Sequence, residues 1–325
     1  MSISRREFLE TAAAGTLAAG SLMADGSSAG MPTRVLGKTG ARVSILAMGG
    51  GSRFLQYSED QAAEAVHKAL DLGVSYIDTC DDYGKDHLSE RRIGAAIKGR
   101  RDRIFLATKV TTRVPEDVPR VVELSLKCLQ VDHVDLLHIH SLSEEDDLAR
   151  VETKGGVLDQ VRKLRDQKVT RFIGVTSHTN PAVLARALER HDFDCTQMAL
   201  NAGTVAMMGG AGGKMVPNPA MKASFETVAL PVAIRKKMGV LGMKVFAQDA
   251  LIGQASPDKL LYYTLSLPVT AAVVSMPKFE HIEQNTRLAK AFRPLSPAEM
   301  RDLSTRLSEK NKEALERFFR HHVDA

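Results

Sequence analysis

Short apolar segments alternate with amphipathic segments along most of the chain, a pattern that predicts strands followed by helices. The apolar segments are rich in β-branched residues, and each precedes apolar residues at helical spacing. Ser58 and Gln61 have the spacing of a capping box and mark the start of the first of these helices. The predicted strands cover residues 45–48, 74–79, 104–109, 134–140, 170–176, 195–200, 240–246 and 271–275. The predicted later helices lie near residues 89–98, 117–130, 155–167, 181–190, 224–237, 257–266 and 279–290.

The eight strand–helix units predict an α/β protein with a parallel sheet closed into a (β/α)8 TIM barrel. An open doubly wound sheet is the alternative, but the segment 49–53 after the first strand lacks the expected GxGxxG pattern. Before the barrel, residues 33–44 predict a β-hairpin around a Lys-Thr-Gly turn. After it, Ser296 and Glu299 have capping-box spacing and open a C-terminal helix. Its packing side is predicted to carry Leu303, Leu307 and Leu315.

Residues 1–30 read as a signal peptide that resembles a twin-arginine export signal. Arg5 and Arg6 precede a short, mildly apolar run that ends in small residues. We therefore expect a signal at 1–30, a barrel domain at 31–325, and transient contact with the twin-arginine export machinery. The expected location is the periplasm, with a membrane tether if the signal is not cleaved. No later segment approaches the ~20 apolar residues of a membrane helix, so we expect no integral membrane segment.

Composition narrows the classes of partner. The 325-residue chain is 44% hydrophobic and 26% charged, with a formal net charge of +5. It has no dense basic run with interleaved aromatic residues, so we expect a small anionic ligand rather than nucleic acid. Three widely spaced cysteines argue against a thiolate metal site or a disulfide framework. Cys80, between Asp78 and Tyr83, is interpreted as a small buried residue in preference to a redox group.

One long segment, residues 202–219, fits no strand or helix pattern. Its Gly-Gly-Lys sequence invites comparison with a phosphate-binding loop, but Met208 and Met215 stand where that motif needs Gly and Ser or Thr. We instead expect a long flexible loop over the mouth of the barrel, with methionines that repack around a ligand.

Three consecutive predicted strands carry ionisable residues at their C-terminal ends: Asp78, Lys109 and His140. Strand C-termini form the functional face of a (β/α)8 barrel, so these side chains are expected to converge there with Tyr83 just above. A neighbouring ammonium group favours the phenolate and lowers the pKa of tyrosine, and a carboxylate keeps that ammonium charged. A neutral histidine can orient the substrate oxygen. These four residues suit proton transfer to a carbonyl oxygen, which is half of a carbonyl reduction. The other half, a hydride, must come from a cofactor.

These four residues resemble, in order and spacing, the catalytic tetrad of the aldo-keto reductases, and the resemblance covers nearly the whole chain after residue 30. It implies an NAD(P)H-dependent oxidoreductase that reduces an aldehyde or ketone, or catalyses the reverse oxidation. In it Tyr83 is the general acid/base, Asp78 and Lys109 tune Tyr83, and His140 orients a small carbonyl substrate. The hairpin resembles the plug at the floor of that family's barrel. Implied cofactor-binding residues are Ser177, His178, Gln197, Lys244, Phe246, Lys278, His281 and Asn285.

Several positions depart from the common family pattern. His178 replaces a frequent Asn, and residues 243–246 read Met-Lys-Val-Phe where many members place a stacking Tyr. Lys278 can meet a phosphate, but His281 stands where an Arg commonly clamps the 2′-phosphate. The expected cofactor is therefore NADP, with NAD as the alternative. Ser141 replaces the Trp that follows the catalytic His, so the aromatic substrate pocket is not carried over.

Two other functions remain open on sequence grounds. His138, His140 and His178 could begin a metal site in a TIM-barrel hydrolase, although Asp249 is the one acidic candidate on a later strand. We expect no metal. The chain could also be a non-catalytic NADP-binding sensor or partner subunit on the same barrel.

Overall fold

The structure is a computed structural model that describes residues 30–209, 215–218 and 223–320. The predicted signal peptide lies outside the described residues, except for Gly30 at its end. Parts of the segment 202–219 also lie outside, and so does the side chain of Leu315.

The described residues form twelve strands and ten α-helices. The strands are β1 Thr33–Val35, β2 Arg42–Ser44, β3 Leu46–Gly49, β4 Tyr76–Asp78, β5 Phe105–Val110, β6 Val134–Ile139, β7 Thr170–Ser177, β8 Cys195–Ala199, β9 Met207–Gly209, β10 Met215–Pro217, β11 Gly239–Met243 and β12 Ala271–Val274. The helices are α1 Glu59–Asp71, α2 Leu88–Ile97, α3 Val118–Leu129, α4 Glu145–Glu152, α5 Val157–Asp166, α6 Pro181–Arg190, α7 Phe225–Arg235, α8 Pro257–Ser266, α9 Phe279–Lys290 and α10 Pro297–Arg320.

Eight of these strands close into a parallel barrel in the order β3-β4-β5-β6-β7-β8-β11-β12. The strands are short and almost entirely buried, because helices cover the outside and side chains fill the inside. The register pairs Tyr76 with Phe105, Asp78 with Ala107 and Lys109 with His138. The predicted (β/α)8 fold is confirmed.

The hairpin β1–β2 closes the floor of the barrel. Leu36 and Val43 are fully buried in a cluster with inward-facing residues of the barrel strands, including Tyr76 and Leu136. Gly37 lies at the contact, with a φ of +51°, and a Cβ at this position would stand 2.2 Å from the backbone nitrogen of Gly239. Only glycine fits a backbone approach this close. The predicted hairpin is confirmed, and it lies at the end opposite the strand C-termini.

Element boundaries and two segments differ from the sequence-based expectation. Helix α4 was not predicted, because it is only eight residues long and its buried apolar residues are Leu148 and Val151 alone, too few to show a helical period. The segment 202–219 is not irregular throughout: β9 and β10 pair in antiparallel register. Strand β11 ends at Met243 rather than at residue 246, since Lys244 turns into the left-handed region.

The C-terminal helix begins as predicted. Ser296 and Glu299 form the reciprocal hydrogen bonds of a capping box, and Leu303 and Leu307 are buried against the barrel. Within the described ranges, the structure contains no helix with the length and apolarity needed to cross a bilayer.

Candidate active site

The C-terminal ends of β4, β5 and β6 bring the predicted catalytic side chains together. Asp78 is the last residue of β4, Lys109 lies one residue before the end of β5, and His140 directly follows β6. Tyr83 stands in the loop after β4, where Tyr83 N–H donates to the carbonyl of Cys80. Parallel strands place their C-termini at one end of the barrel, so residues far apart in the sequence meet there.

Lys109 and Asp78 form a buried ion pair. Lys109 Nζ donates to Asp78 Oδ2 at 2.7 Å and to the carbonyl oxygen of Thr79 at 2.6 Å. The two charged side chains belong to residues that are only 1% and 2% exposed. Burial is the largest single effect and lowers the pKa of Lys109, but the Asp78 carboxylate, with smaller contributions from Tyr83 and Cys80, more than offsets it and the pKa is raised. The lysine is therefore held fully charged inside the barrel.

The Lys109 ammonium lies over the ring of half-buried Tyr83, with Nζ 4.7 Å from the ring centroid. As expected, the Lys109 charge acts to lower the pKa of Tyr83, but the net shift of that pKa is upward. Burial raises the pKa of the Tyr83 hydroxyl more than the Lys109 charge lowers it, with a smaller upward effect from Asp78. The phenol is protonated near neutral pH, which is the state of a proton donor.

The ring of His140 also lies next to Tyr83. The two rings meet edge to face with centroids 5.7 Å apart, and the ring of His178 lies 5.8 Å from that of His140. Burial, followed by the Lys109 charge, holds the pKa of His140 well below its ordinary value. The imidazole is therefore neutral, as expected from the sequence. Its Nε2 atom is buried and has no hydrogen-bond partner among the described residues.

Two residues next to the tetrad contact it in ways that sequence analysis missed. Cys80 Sγ lies 3.3 Å from His140 Nδ1 and donates to Asp81 Oδ1 at 3.2 Å. Asp81 Oδ2 accepts hydrogen bonds from the backbone and hydroxyl of Thr111. The positions of Cys80 and Asp81 in the sequence, between Asp78 and Tyr83, place both residues near the tetrad. Their contacts depend on the path of the loop, which the sequence does not give.

The residues expected to hold a nicotinamide amide gather across the barrel from Tyr83. Gln197 Nε2 donates to Asp78 Oδ2 at 3.3 Å, while Gln197 Oε1 is buried without a partner among the described residues. His178 Nδ1 is likewise buried and unpaired. Ser177 Oγ donates to the carbonyl of Leu142. Gln197 and His178 therefore offer free polar atoms, whereas the Ser177 hydroxyl already has an acceptor.

The remaining predicted cofactor residues follow β11 and β12. Lys244 and Phe246 are partly buried, and burial together with the Lys109 charge lowers the pKa of Lys244 to about 8. Lys278 is exposed at the N-cap of α9, a position that favours anions. His281 and Asn285 lie on the same helix, and Asn285 is buried.

The structure gives no support to a three-histidine metal site. His138 is fully buried, and its Nδ1 stands 2.5 Å from the position that a Cβ on Gly174 would take. Across the described portion of the chain, no group of three or more His, Cys, Asp or Glu side chains is arranged to hold a metal ion.

A cavity of about 680 Å³ lies beside the Tyr83 loop, but it is separate from the tetrad. Its lining comes from Asp81, Asp82, Gly84, Lys85, Asp86, His87, Arg91, Leu124 and Cys128. We place the candidate active site at the strand ends and not in this cavity, because the buried ion pair and the unpaired polar atoms lie at the strand ends.

The sequence of the chain is similar to a family of known oxidoreductases and to individual members of known activity. The profile of the "Aldo/keto reductase family" matches residues 46–205, from β3 to the segment after β8. L-galactose dehydrogenase of Arabidopsis thaliana is 34% identical over 155 residues, which are 44% of this chain and 47% of that protein. D-threo-aldose 1-dehydrogenase of a Pseudomonas species is 26% identical over 265 residues, 72% of this chain and 71% of that protein.

A solved structure shares the barrel. The aldo-keto reductase from Klebsiella pneumoniae in complex with NADPH superposes with a TM-score of 0.66 at 21% identity, covering 86% of this chain and 95% of that one. The likeness at this identity shows the fold. The match to L-galactose dehydrogenase spans about half of that protein's length.

Proposed function

We propose that the chain is a member of the aldo/keto reductase family, whose profile matches residues 46–205, and that it is an NADP(H)-dependent oxidoreductase. It reduces the carbonyl group of a small aldehyde or ketone, or catalyses the reverse oxidation. The observation that carries the proposal is the buried Lys109–Asp78 ion pair beneath the ring of Tyr83. A structural role alone does not account for an ammonium held there, because a charged pair of this kind is expensive to bury.

Each residue of the tetrad has a role that its surroundings support. Tyr83, protonated near neutrality, gives its proton to the carbonyl oxygen as the alcohol forms. Lys109 stabilises the phenolate that remains, and Asp78 keeps Lys109 charged and in place. His140 is neutral and contacts the edge of the Tyr83 ring, so it can orient the substrate without adding a competing charge.

The residues around the barrel mouth fit a nicotinamide cofactor. The unpaired atoms Gln197 Oε1 and His178 Nδ1 provide hydrogen-bonding capacity for a carboxamide. Lys244 and Lys278, with the N-terminus of α9, suit phosphate groups. When bound, the cofactor supplies the hydride that side chains cannot. The Klebsiella pneumoniae relative was solved with NADPH, which supports NADP in preference to NAD.

The substrate class we propose is a small sugar or another hydroxylated carbonyl compound. The relatives reported above are named for galactose and aldose oxidation. The chain has no Trp, the polar ring of His140 lies beside Tyr83, and the ring of His178 lies beside that of His140. A polar site of this kind favours substrates that carry hydroxyl groups over bulky aromatic carbonyls.

We also propose that the protein is exported through the twin-arginine pathway, on the basis of the paired residues Arg5 and Arg6. Fractionation of the native host tests this directly. Recovery in the periplasm, with Arg5→Lys/Arg6→Lys retained in the cytosol, is the expected result. Recovery of the wild type at full length in the cytosol would refute export.

Titration of the protein with NADPH and NADH in parallel, followed by nicotinamide fluorescence, tests the proposed function. We expect tight binding of NADPH, weaker binding of NADH, and unchanged binding in Tyr83→Phe. Binding without turnover of any aldehyde would favour the sensor alternative. No binding of either nucleotide, together with stoichiometric zinc, would favour the hydrolase alternative that uses His138, His140 and His178.

A further inference from the structure

Arg113 stands in the loop after β5, and its guanidinium group binds three segments at the mouth of the barrel. Nε and Nη2 donate to the two carboxylate oxygens of Asp147, at 2.7 and 3.2 Å, and form a bidentate ion pair. Nη2 also donates to the backbone carbonyl of His140 at 2.6 Å, and Nη1 donates to the carbonyl of Thr111 at 3.0 Å. One side chain thus connects the loop after β5, the residue after β6 and helix α4.

The backbone leaves the barrel wall at His140 through a strained turn. His140 N–H donates to the carbonyl of Val110 at 3.0 Å, which extends the contact between β5 and β6. The next residue, Ser141, has a φ of +53°, a left-handed conformation that residues other than glycine rarely adopt. Ser141 N–H donates to Thr176 Oγ1 at 2.8 Å. Such a turn persists only where surrounding contacts hold it, and the bond from Arg113 to the His140 carbonyl is one of these contacts.

Asp147 fixes the guanidinium group from the other side. Asp147 is 7% exposed, and its Oδ2 atom also accepts a hydrogen bond from Ser143 N–H at 3.2 Å. The residue lies in the first turn of α4, where the helix dipole favours a carboxylate. A bidentate pair fixes the orientation of the guanidinium plane as well as its position. Helix α4, between β6 and α5, therefore presents the carboxylate that directs Arg113 towards His140.

We propose that Arg113, held by Asp147, is a positioning residue that fixes the backbone of His140, so that the imidazole stays beside Tyr83 and faces the carbonyl oxygen of the substrate. This inference rests on the proposed function and deepens it. The rings of His140 and Tyr83 meet edge to face with centroids 5.7 Å apart, and both side chains must address the same oxygen. A misplacement of about 1 Å in such a site lowers the rate by about 10²-fold. In this scheme Arg113 acts through His140 and contacts neither substrate nor cofactor.

A double variant separates positioning from stability. Arg113→Met leaves the Asp147 carboxylate buried without its partner, so this variant should lose both stability in urea and activity. Arg113→Met/Asp147→Leu removes both charges and should recover the stability, but the carbonyl of His140 still lacks its donor. We therefore expect the double variant to oxidise NADPH with glycolaldehyde about 10²-fold more slowly than the wild type in a single turnover. Its affinity for NADPH should be unchanged.

Arg171→Met is the matched control. Arg171 Nη1 donates to Asp135 Oδ1 at 2.6 Å, so this arginine also forms an ion pair with a buried aspartate. Both residues lie at the starts of their strands, β7 and β6, at the end of the barrel opposite the tetrad. Loss of this ion pair should leave the single-turnover rate at the wild-type value.

The position of the imidazole can be followed without turnover. NMR of the full chain, isotope-labelled at histidine, detects the ring protons of His140, whose chemical shifts depend on the neighbouring ring of Tyr83. His140→Gln identifies these signals. They should move in Arg113→Met/Asp147→Leu and stay unchanged in Arg171→Met.

Two results would overturn the inference: a double variant that regains the wild-type rate together with its stability, or His140 signals in that variant identical to those of the wild type. If Arg113→Met does not fold, the double variant still decides between the outcomes. Failure of the proposed function gives a different result, in which the wild type turns over no carbonyl compound while the NMR comparison still tests the positioning of His140.

Discussion

Lys109 donates a 2.7 Å hydrogen bond to Asp78, and both residues are almost completely buried between the barrel strands. The carbonyl oxygen of Thr79 accepts a second bond from the same ammonium group. A buried charge is tolerated only when it is paired and hydrogen-bonded, so the two residues depend on each other. The stability of the barrel mouth and its chemistry are therefore linked through one ion pair.

Removing one partner should destabilise the protein more than removing both. Lys109→Met leaves the Asp78 carboxylate buried without its counter-charge, at an expected cost of about 3–5 kcal/mol in the free energy of unfolding. The double variant Lys109→Met/Asp78→Leu removes both charges and should recover most of that loss while remaining inactive. Urea unfolding of the three proteins measures the difference. Equal stabilities of the single and double variants would show that the pair is not energetically coupled.

Cofactor affinity should depend on pH through Lys244. Burial lowers the pKa of this lysine to about 8, so it is charged below that pH and loses its proton above it. An anionic phosphate group binds the charged form, and linkage then requires NADPH affinity to fall as pH rises through about 8. Titrations from about pH 7 to pH 9.5 should show this fall in the wild type.

The matched control for that experiment is Lys244→Arg, which keeps its charge throughout the range. Its NADPH affinity should be independent of pH near 8, whereas Lys244→Met should bind weakly at every pH. If the wild type shows no pH dependence, Lys244 does not contact a phosphate of the cofactor.

The hairpin at the barrel floor should be sensitive to a single methyl group. A Cβ on Gly37 would stand 2.2 Å from the nitrogen of Gly239, so Gly37→Ala should cost about 1–3 kcal/mol or more through overpacking. Gly40 also has a positive φ but has nothing within 4 Å, so Gly40→Ala isolates the backbone strain alone. Thermal unfolding should rank Gly37→Ala well below Gly40→Ala. If Gly40→Ala were the less stable of the two variants, the close contact between Gly37 and Gly239 would be contradicted.

The fold and the convergence of the four tetrad residues could both be predicted from the sequence, for one physical reason. Eight repeated strand–helix units close in one way, and closure carries every strand C-terminus to the same end. Asp78, Lys109 and His140 end consecutive strands, so their convergence followed from the order of elements without knowledge of any contact.

Features that depend on loop paths could not be read from the sequence. The contact between Cys80 and His140 depends on the path of the loop after β4, which brings Cys80 to the residue that follows β6 and which no periodicity encodes. Helix α4 is eight residues long and buries only two apolar side chains, Leu148 and Val151, so no helical period is visible in its sequence. The pKa of Tyr83 is raised because burial of its hydroxyl outweighs the neighbouring Lys109 charge. The extent of that burial depends on the folded loop and cannot be seen in the sequence.

The most direct test of the account is the rate of NADPH oxidation with glycolaldehyde in a single turnover, compared between wild type and Tyr83→Phe. We expect Tyr83→Phe to bind NADPH like the wild type but to react about 10²–10⁴-fold more slowly, since it lacks the proton donor. Tyr262→Phe is the control, because it removes a hydroxyl that bonds the Leu288 carbonyl away from the tetrad, and it should keep the wild-type rate. Equal rates in wild type and Tyr83→Phe, or no oxidation of NADPH by the wild type, would contradict the central claim.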